Sequence, residues 1–434
     1  MSNKLIKDKF FIILFFFPLS FIFGIAVTEI LVAICLIYFL LNYNKIEIFF
    51  KKKIIILVIF SVYISLNAFF QISDNLKYSS FIYFRYILFS LGIFIFYEKV
   101  INLNFNNKLF NIILFSFFIL FFDSFLQFYT GKNILGYGIH AQRISSFFGD
   151  ELILGSFLIR TLPILIWYIY HFQIKLFEKK FFYTVFFAAY FCVIYLSGER
   201  TSIGLFLIFF ASIIFFIPDL KKIFIHSFII LLIFISSTIF FNFGKSSIDV
   251  RVFKKTYNQI FQVEQKNDIQ TEQRNDTKDD KAVVSKKISK IYIFSKDHHG
   301  HLVLAKKIFL ENPIFGAGPK GFRHYCRKVN YDPEIGICST HPHNLLAQFA
   351  SELGIIGLTF FLIFFIYIFK KFIQVNSIKN KSSHHYAILV ISLGLLINLF
   401  PFLPSGNFFN NWISLFIYFN LGLYLVSYNK IISK

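Results

Sequence analysis

The sequence carries little charge for its length. Only 15% of its 434 residues are Asp, Glu, Lys or Arg, whereas about a quarter of a soluble domain is charged. Hydrophobic residues make up 56% of the chain, aromatic residues 21%, and the mean hydropathy is +0.65. The apolar residues also come in long runs, which one soluble core does not require. This composition excludes an ordinary soluble domain and predicts an integral membrane protein.

Several motifs of metal and nucleotide sites are missing. The sequence has no CxxC pair, no HExxH, no Walker A lysine motif and no EF-hand loop,. The string GAGPKG at 316–321 matches GxGxxG, but it neither follows a buried strand nor opens a helix of a βαβ unit. We therefore expect a turn there. Of the four cysteines, Cys35 and Cys192 lie in apolar segments. Cys326 and Cys338 lie outside such segments, and they either form a disulfide or stay as two free thiols.

Twelve apolar segments predict about twelve transmembrane helices. They are residues 10–24, 26–43, 54–70, 79–97, 109–128, 151–171, 181–197, 202–217, 222–242, 345–369, 385–402 and 408–427. The first follows Lys4, Lys7 and Lys9, as in a signal peptide, but no small-residue cleavage site follows. We interpret it as an uncleaved anchor.

Lysines indicate the orientation of these helices. If the N-terminus is cytoplasmic, about 20 Lys and Arg fall on that side, against about four in the short loops opposite,. The net charge of +21 then reflects topology and attraction to anionic lipid, and no nucleic-acid partner is needed to explain it. Both termini are predicted to be cytoplasmic, with residues 129–150, 197–201, 243–344 and 402–407 outside, in the periplasm of a bacterium.

The chain divides into three regions on this reading. Residues 1–242 hold helices 1–9, residues 243–344 form a large outer loop, and residues 345–434 hold helices 10–12. Within the loop, residues 264–290 are polar and nearly free of aromatics, which predicts a disordered insert. From His301 to Leu310, apolar and basic positions alternate at helical spacing. We expect an amphipathic helix that lies on the bundle or on the lipid surface.

Arginines at the outer helix ends are candidates for anion binding. Arg200 lies in SGERT at 197–201, where it either pairs with Glu199 or lipid phosphate or binds a lipid-linked diphosphate in a two-pronged way,. Arg143 in an outer loop is a further candidate, and so is Arg251, beside Asp249. The arginines inside predicted helices, Arg85 and Arg160, are interpreted as structural partners of buried carboxylates or carbonyls.

Two histidines directly precede the tenth helix, in STHPHN at 339–344. In an extended stretch, His341 and His343 would point to opposite sides, so one can act as a general base while the other packs or caps. Asn344 can cap the helix. An alternative is a zinc site that joins these histidines to the DHHGH stretch at 297–301. The glycine and the flexible flanks favour a solvated loop for that stretch.

Three strings resemble the O-antigen ligase and O-antigen polymerase family of membrane glycosyltransferases. They are LSGERTS at 196–202, NPIFGAGPKGF at 312–322 and HPHNLLAQFASELGIIGL at 341–358. Their order and the helix count extend the resemblance over essentially the whole chain. The strings are typical of the superfamily and do not separate its members. The insert at 264–290 departs from the pattern. The resemblance implies an all-α, GT-C-like bundle with a large periplasmic loop between helices 9 and 10.

The resemblance also implies an activity in the bacterial inner membrane. A glycan would move from undecaprenyl diphosphate to a sugar hydroxyl of lipid A–core, for a ligase, or of a lipid-linked repeat unit, for a polymerase. No metal or cofactor is expected. Arg200 and Arg251, with Arg143, would hold the diphosphate; His343, with His341 as a second candidate, would assist the hydroxyl; Glu199 and Asn344 would support them. A glycan transporter and a non-catalytic scaffold are the alternatives, and neither explains both HPHN and GERTS.

Overall fold

The fold is described from a computed structural model. It describes residues 11–43, 48–71, 80–100, 106–174, 180–241, 243–245, 248, 250–261, 294–328 and 338–432. Every regular element in these ranges is helical. The main helices are α1 (Ile25–Asn42), α2 (Ile48–Gln71), α3 (Arg85–Val100), α4 (Asn106–Thr130), α5 (Leu154–His171), α6 (Lys180–Leu196), α7 (Arg200–Phe216), α8 (Pro218–Phe241), α9 (Lys296–Glu311), α10 (Phe322–Lys328), α11 (Leu345–Asn376), α12 (Ser383–Asn398) and α13 (Asn411–Ile432).

The helices are those of a membrane protein. Within the described ranges, α1, α4, α8 and α11 are long and apolar enough to cross a membrane, and several shorter helices are also apolar. Large side chains on the outside of the bundle fit a lipid environment, since Phe181, Phe215 and Phe240 are 84%, 79% and 82% exposed,. The predicted all-helical membrane fold is confirmed at this level. The count of twelve spans stays a prediction.

Helix α5 lies at the centre of the bundle. Every residue of α5 except Ser156 is buried, as expected for a helix that is apolar all round,. It packs against α12, where Gly394 allows close approach: a Cβ on Gly394 would lie 2.8 Å from Cβ of Pro163. The two arginines predicted to be structural have the expected kinds of partner. Arg85 binds Glu29 at 2.9 Å, and Arg160 donates to the carbonyl of Ser156 at 3.1 Å.

The loop of residues 243–344 contributes α9 and α10. The predicted amphipathic helix is confirmed, but it begins at Lys296, because Ser295 caps it by accepting from the backbone N–H of His298,. Its apolar face, with Leu304 and Ile308, is buried against α10 and α11, so it lies on the bundle. Cys326 and Cys338 form a disulfide. The insert predicted at 264–290 and Asp249 lie outside the described residues.

The glycine turn packs directly on α11. The predicted turn at 316–321 is confirmed. The N–H of Ala317 donates to the carbonyl of Ser351 at 2.9 Å, next to a kink in α11 at Gly354. Gly316 and Gly354 have φ of +71° and +65°, and a Cβ on either would lie within 2.4 Å of the other segment's backbone,. The GAGP and ELG strings are therefore two halves of one contact.

Candidate functional site

Two of the three predicted arginines donate hydrogen bonds to the turn between α6 and α7 and to the loop before α5. Arg251 donates from Nε to the carbonyl of Gly198 and from Nη1 to that of Ala141, both at 3.1 Å. Arg143 donates to the carbonyls of Ser197, at 3.3 Å, and Leu152. Gly198 has φ +62°, and a Cβ there would lie 3.2 Å from both arginine side chains. The glycine of SGER thus provides the space into which Arg143 and Arg251 pack.

Glu199 fixes this turn to the central helix. Its Oε2 accepts from the backbone N–H and hydroxyl of Ser156, at 3.0 and 2.5 Å, and from Ser202 at 2.8 Å. Its Oε1 lies 2.9 Å from Nη2 of Arg143. Arg200, the first residue of α7, donates to Oγ1 of Thr256 at 3.3 Å. The ion pair of Glu199 is therefore formed with Arg143, a different partner from the one the sequence offered.

The site holds an excess of positive charge. We call Arg143, Arg200 and Arg251 the arginine cluster. Burial lowers the pKa of Arg251, and the charges of Arg143 and Arg200 lower it further, while Glu199 opposes the shift,. The pKa of Arg143 is also lowered by burial, against the effect of Glu199. Because guanidinium groups keep their charge in proteins, three cations face one carboxylate, an arrangement suited to an anion.

Beside the arginines lie four imidazole rings. We call His298, His301, His341 and His343 the histidine cluster. The ring centroid of His343 lies 4.0 Å from that of His341, 5.3 Å from that of His301 and 5.4 Å from that of His298. The prediction that His341 and His343 point to opposite sides is therefore wrong. His343 has φ +55°, in the left-handed region, and so the chain is not extended there,.

Hydrogen bonds distinguish the two predicted histidines. Nε2 of His341 lies 3.1 Å from the carbonyl of Ser405, so it must carry the proton, and Nδ1 then accepts from the hydroxyl of Thr340 at 3.0 Å,. Both nitrogens of His341 are thus engaged. Nε2 of His343 lies 2.9 Å from the hydroxyl of Ser339, and the backbone of Ser405 also interacts with this ring. His343 is the ring around which the other three imidazoles group.

Burial keeps these rings neutral. It lowers the pKa of His343 to about 3 and that of His341 to about 4, and the neighbouring histidines add to both shifts,. Near neutral pH both imidazoles are therefore uncharged, which is the form that accepts a proton.

Sequence reasoning joined the other two histidines to His341 and His343 only in the alternative of a zinc site. The solvated loop favoured for 297–301 is wrong: the stretch belongs to α9, and His301 is only 5% exposed. His298 bonds to Ser295 at 2.7 Å and interacts electrostatically with Arg200, which links the two clusters. Two features of the sequence point to this arrangement. Ser295 can cap a helix, and His298 and His301, three positions apart, then lie on one face of that helix. Across the described ranges, no group of three or more His, Cys, Asp or Glu is arranged to hold a metal ion.

Asn344 and Glu352 hold the base of the site. Asn344 caps α11, accepting from the N–H of Ala347 at 3.0 Å, and also donates to the carbonyl of Pro401 at 2.8 Å. Glu352, which was not among the predicted site residues, is fully buried and accepts from the N–H of Phe322 at 3.1 Å. These contacts hold the glycine turn and the two histidines that precede α11 against the N-terminal part of that helix.

No protein-family model matches the chain, and no curated protein matches it significantly.

Proposed function

We propose that the protein is a membrane glycosyltransferase that moves a glycan from undecaprenyl diphosphate to a sugar hydroxyl. The observation that carries the proposal is that fixed cations and neutral imidazoles lie near enough for the charge of Arg200 to act on His298. The resemblance of GERTS, GAGPKG and HPHN to the O-antigen ligase and polymerase family supports the same chemistry.

The reaction would divide between the clusters. The arginine cluster would bind the diphosphate and stabilise the negative charge that grows as the anomeric carbon–oxygen bond breaks. His343 would accept the proton of the acceptor hydroxyl as that oxygen bonds to the anomeric carbon. The products are a new glycosidic bond and undecaprenyl diphosphate. His341, with both nitrogens engaged, would position His343.

The proposal includes the finer topology. About twelve helices in a GT-C-like arrangement would cross the bacterial inner membrane with both termini in the cytoplasm. The site and the loop of residues 243–344 would then face the periplasm, where the lipid-linked donor presents its glycan. In support, contacts at the opposite end of the bundle involve lysines, such as Lys99 with Asn42 at 2.6 Å and Lys371 beside Tyr428,.

A ligase is preferred to a polymerase, and the acceptor decides between them. Full-length protein in detergent is given a lipid-linked glycan with either lipid A–core or a lipid-linked repeat unit, with and without a metal chelator. We expect transfer in the presence of chelator. One block on the core indicates a ligase, and a ladder on the lipid carrier indicates a polymerase. Absence of transfer to both acceptors by well-folded protein would refute the proposal.

A further inference from the structure

A polar cavity lies among the glycine turn, α10 and the start of α13. Its volume is about 730 Å³, and its polar wall consists of Glu151, Lys320, Arg323, Asn410, Asn411 and Trp412. We call it the Trp412 cavity. Phe21, Ile22, Gly24 and Ile25 form part of its rim, and a Cβ added to Gly24 there would meet no atom within 4 Å. The cavity is thus open space of a size suited to a small ligand or one or two sugar rings.

Two cations of the cavity are held in unusual positions. Lys320 has φ +66°, a conformation that a side-chain-bearing residue seldom adopts, at the end of the glycine turn,. Nε of Arg323 is buried and has no hydrogen-bond partner among the described residues. A buried donor without a partner is costly unless a ligand supplies an acceptor. Glu151 is the one acidic residue of the wall, and both cations also interact electrostatically with the buried carboxylate of Glu352. The unpartnered Nε of Arg323 is the feature that favours an anion here.

The aromatic part of the wall is Trp412. It is half-buried, and the guanidinium of Arg160 lies 5.2 Å from the centre of its ring. An indole in a polar cavity offers an apolar surface on which the C–H face of a sugar ring can pack, while the amide of Asn410 and the carboxylate of Glu151 suit its hydroxyls.

The cavity adjoins both clusters. Arg143 donates to the carbonyl of Leu152, which lies between the wall residues Glu151 and Ile153. Arg323 interacts electrostatically with His341. If the arginine cluster holds the donor diphosphate, the Trp412 cavity is available to the other substrate.

We propose that the Trp412 cavity binds an anionic sugar of the acceptor glycan, with the sugar ring on Trp412 and its phosphate or carboxylate between Lys320 and Arg323. The assignment to the acceptor rests on the proposed glycosyl transfer. The binding of an anionic sugar does not depend on it, and the two can be tested apart.

Tryptophan fluorescence tests the binding. The chain has two tryptophans, and Trp167 is fully buried, with Nε1 bonded to Ser427 at 2.6 Å. In full-length Trp167→Phe protein in detergent, Trp412 is the only indole. Glucose 6-phosphate, glucuronic acid and glucose are titrated in turn, without donor. We expect a saturable change with an anionic sugar at about tenfold lower concentration than with glucose. Whichever anion binds more tightly identifies phosphate or carboxylate as the recognised group.

Charge variants complete the test. In the same background, Lys320→Gln with Arg323→Gln should abolish the preference for anionic sugars. Arg327→Gln, an exposed arginine on the same short helix, should retain it. No response to any sugar, an equal response to all three, or a preference that survives the double substitution would overturn the inference, even in a protein that transfers glycan.

Competition kinetics test the acceptor assignment. In the transfer assay, the preferred anionic sugar should compete with the acceptor and not with the lipid-linked donor. Competition with the donor would overturn the assignment. If fluorescence shows selective binding but the protein transfers no glycan, the proposed function and the acceptor assignment fail together, while the anionic-sugar site stands.

Discussion

The arginine cluster and the histidine cluster lie side by side, but their contacts differ. Arg143 and Arg251 are held by backbone carbonyls and by Glu199, acceptors that a charged guanidinium requires. His343 instead lies among other imidazoles, whose positive forms would repel one another. Burial lowers the pKa of both kinds of group. The arginines nevertheless stay charged at neutral pH, whereas the histidines are neutral,.

This difference suggests a division of labour within one site. A guanidinium charge can bind an anion while the neighbouring imidazole stays neutral and able to accept a proton. The two clusters come from different parts of the chain: the arginines from loops and the first residue of α7, the histidines from α9 and the residues just before α11. The predictions that follow change one side of the comparison at a time.

The largest effect is expected from the proposed base. His343→Ala should lower kcat for glycan transfer by about 10²–10⁴-fold, since it removes the proton acceptor. The measurement is the initial rate at saturating donor and acceptor in detergent. His299→Ala, which changes an exposed histidine of α9, is the matched control and should retain activity. A His343→Ala protein with the wild-type rate would remove His343 from the mechanism.

Removal of the charge of Arg200 should lower activity nearly as much as removal of the proposed base. We expect Arg200→Ala to lower kcat/KM by about 10²–10³-fold, as for other groups that stabilise developing negative charge. Arg200→Lys should recover part of this, because it keeps the charge but not the two-pronged geometry. Comparison with Arg327→Gln separates a local effect from a general loss of positive charge. Equal activity of the Ala variant and the wild type would contradict the role of Arg200.

The packing beneath the histidines should be sensitive to one methyl group. Gly316→Ala would place Cβ 2.4 Å from the backbone of Glu352, in a residue with φ +71°. Gly136 has a similar φ, +87°, but open space around it, so Gly136→Ala carries the backbone strain alone, about 1 kcal/mol,. Thermal unfolding in detergent should show a clearly larger fall in Tm for Gly316→Ala. Equal falls would mean that the turn can move away from α11.

The smallest effect is expected from pH. The pKa of His343 is lowered to about 3 in the folded protein, from about 6.5 when exposed,. The transfer rate should therefore show no inflection near pH 6.5 and should decline only in more acidic solution. Stability follows the same sign: the neutral ring favours the folded state above pH 6.5, and this is lost as pH falls from 6.5 towards 3. An inflection at 6.5 that His343→Ala removes would show that the ring is exposed.

The helical membrane fold could be predicted from the sequence, because long apolar runs are a local signal; the orientation that the lysines indicate stays a prediction. The glycine turn and the α9 helix could be predicted for the same reason. The grouping of the four histidines appeared only as the alternative of a zinc site. Its geometry depends on the left-handed backbone of His343 and on α9 lying against α11, which no local pattern shows. The ion pair between Glu199 and Arg143 could not be predicted from the sequence either. These residues are 56 positions apart in sequence, and no local pattern relates them.

The central claim is that the arginines bind the donor and His343 acts in the chemistry. It is tested most directly by equilibrium binding of labelled undecaprenyl diphosphate to the full-length wild type, Arg200→Ala and His343→Ala in detergent. We expect Arg200→Ala to raise Kd at least about tenfold, which corresponds to about 1.4 kcal/mol. His343→Ala should bind as the wild type does and yet transfer glycan at least about 10²-fold more slowly. Wild-type binding by Arg200→Ala, or equally weakened binding by both variants, would contradict the division between the two clusters.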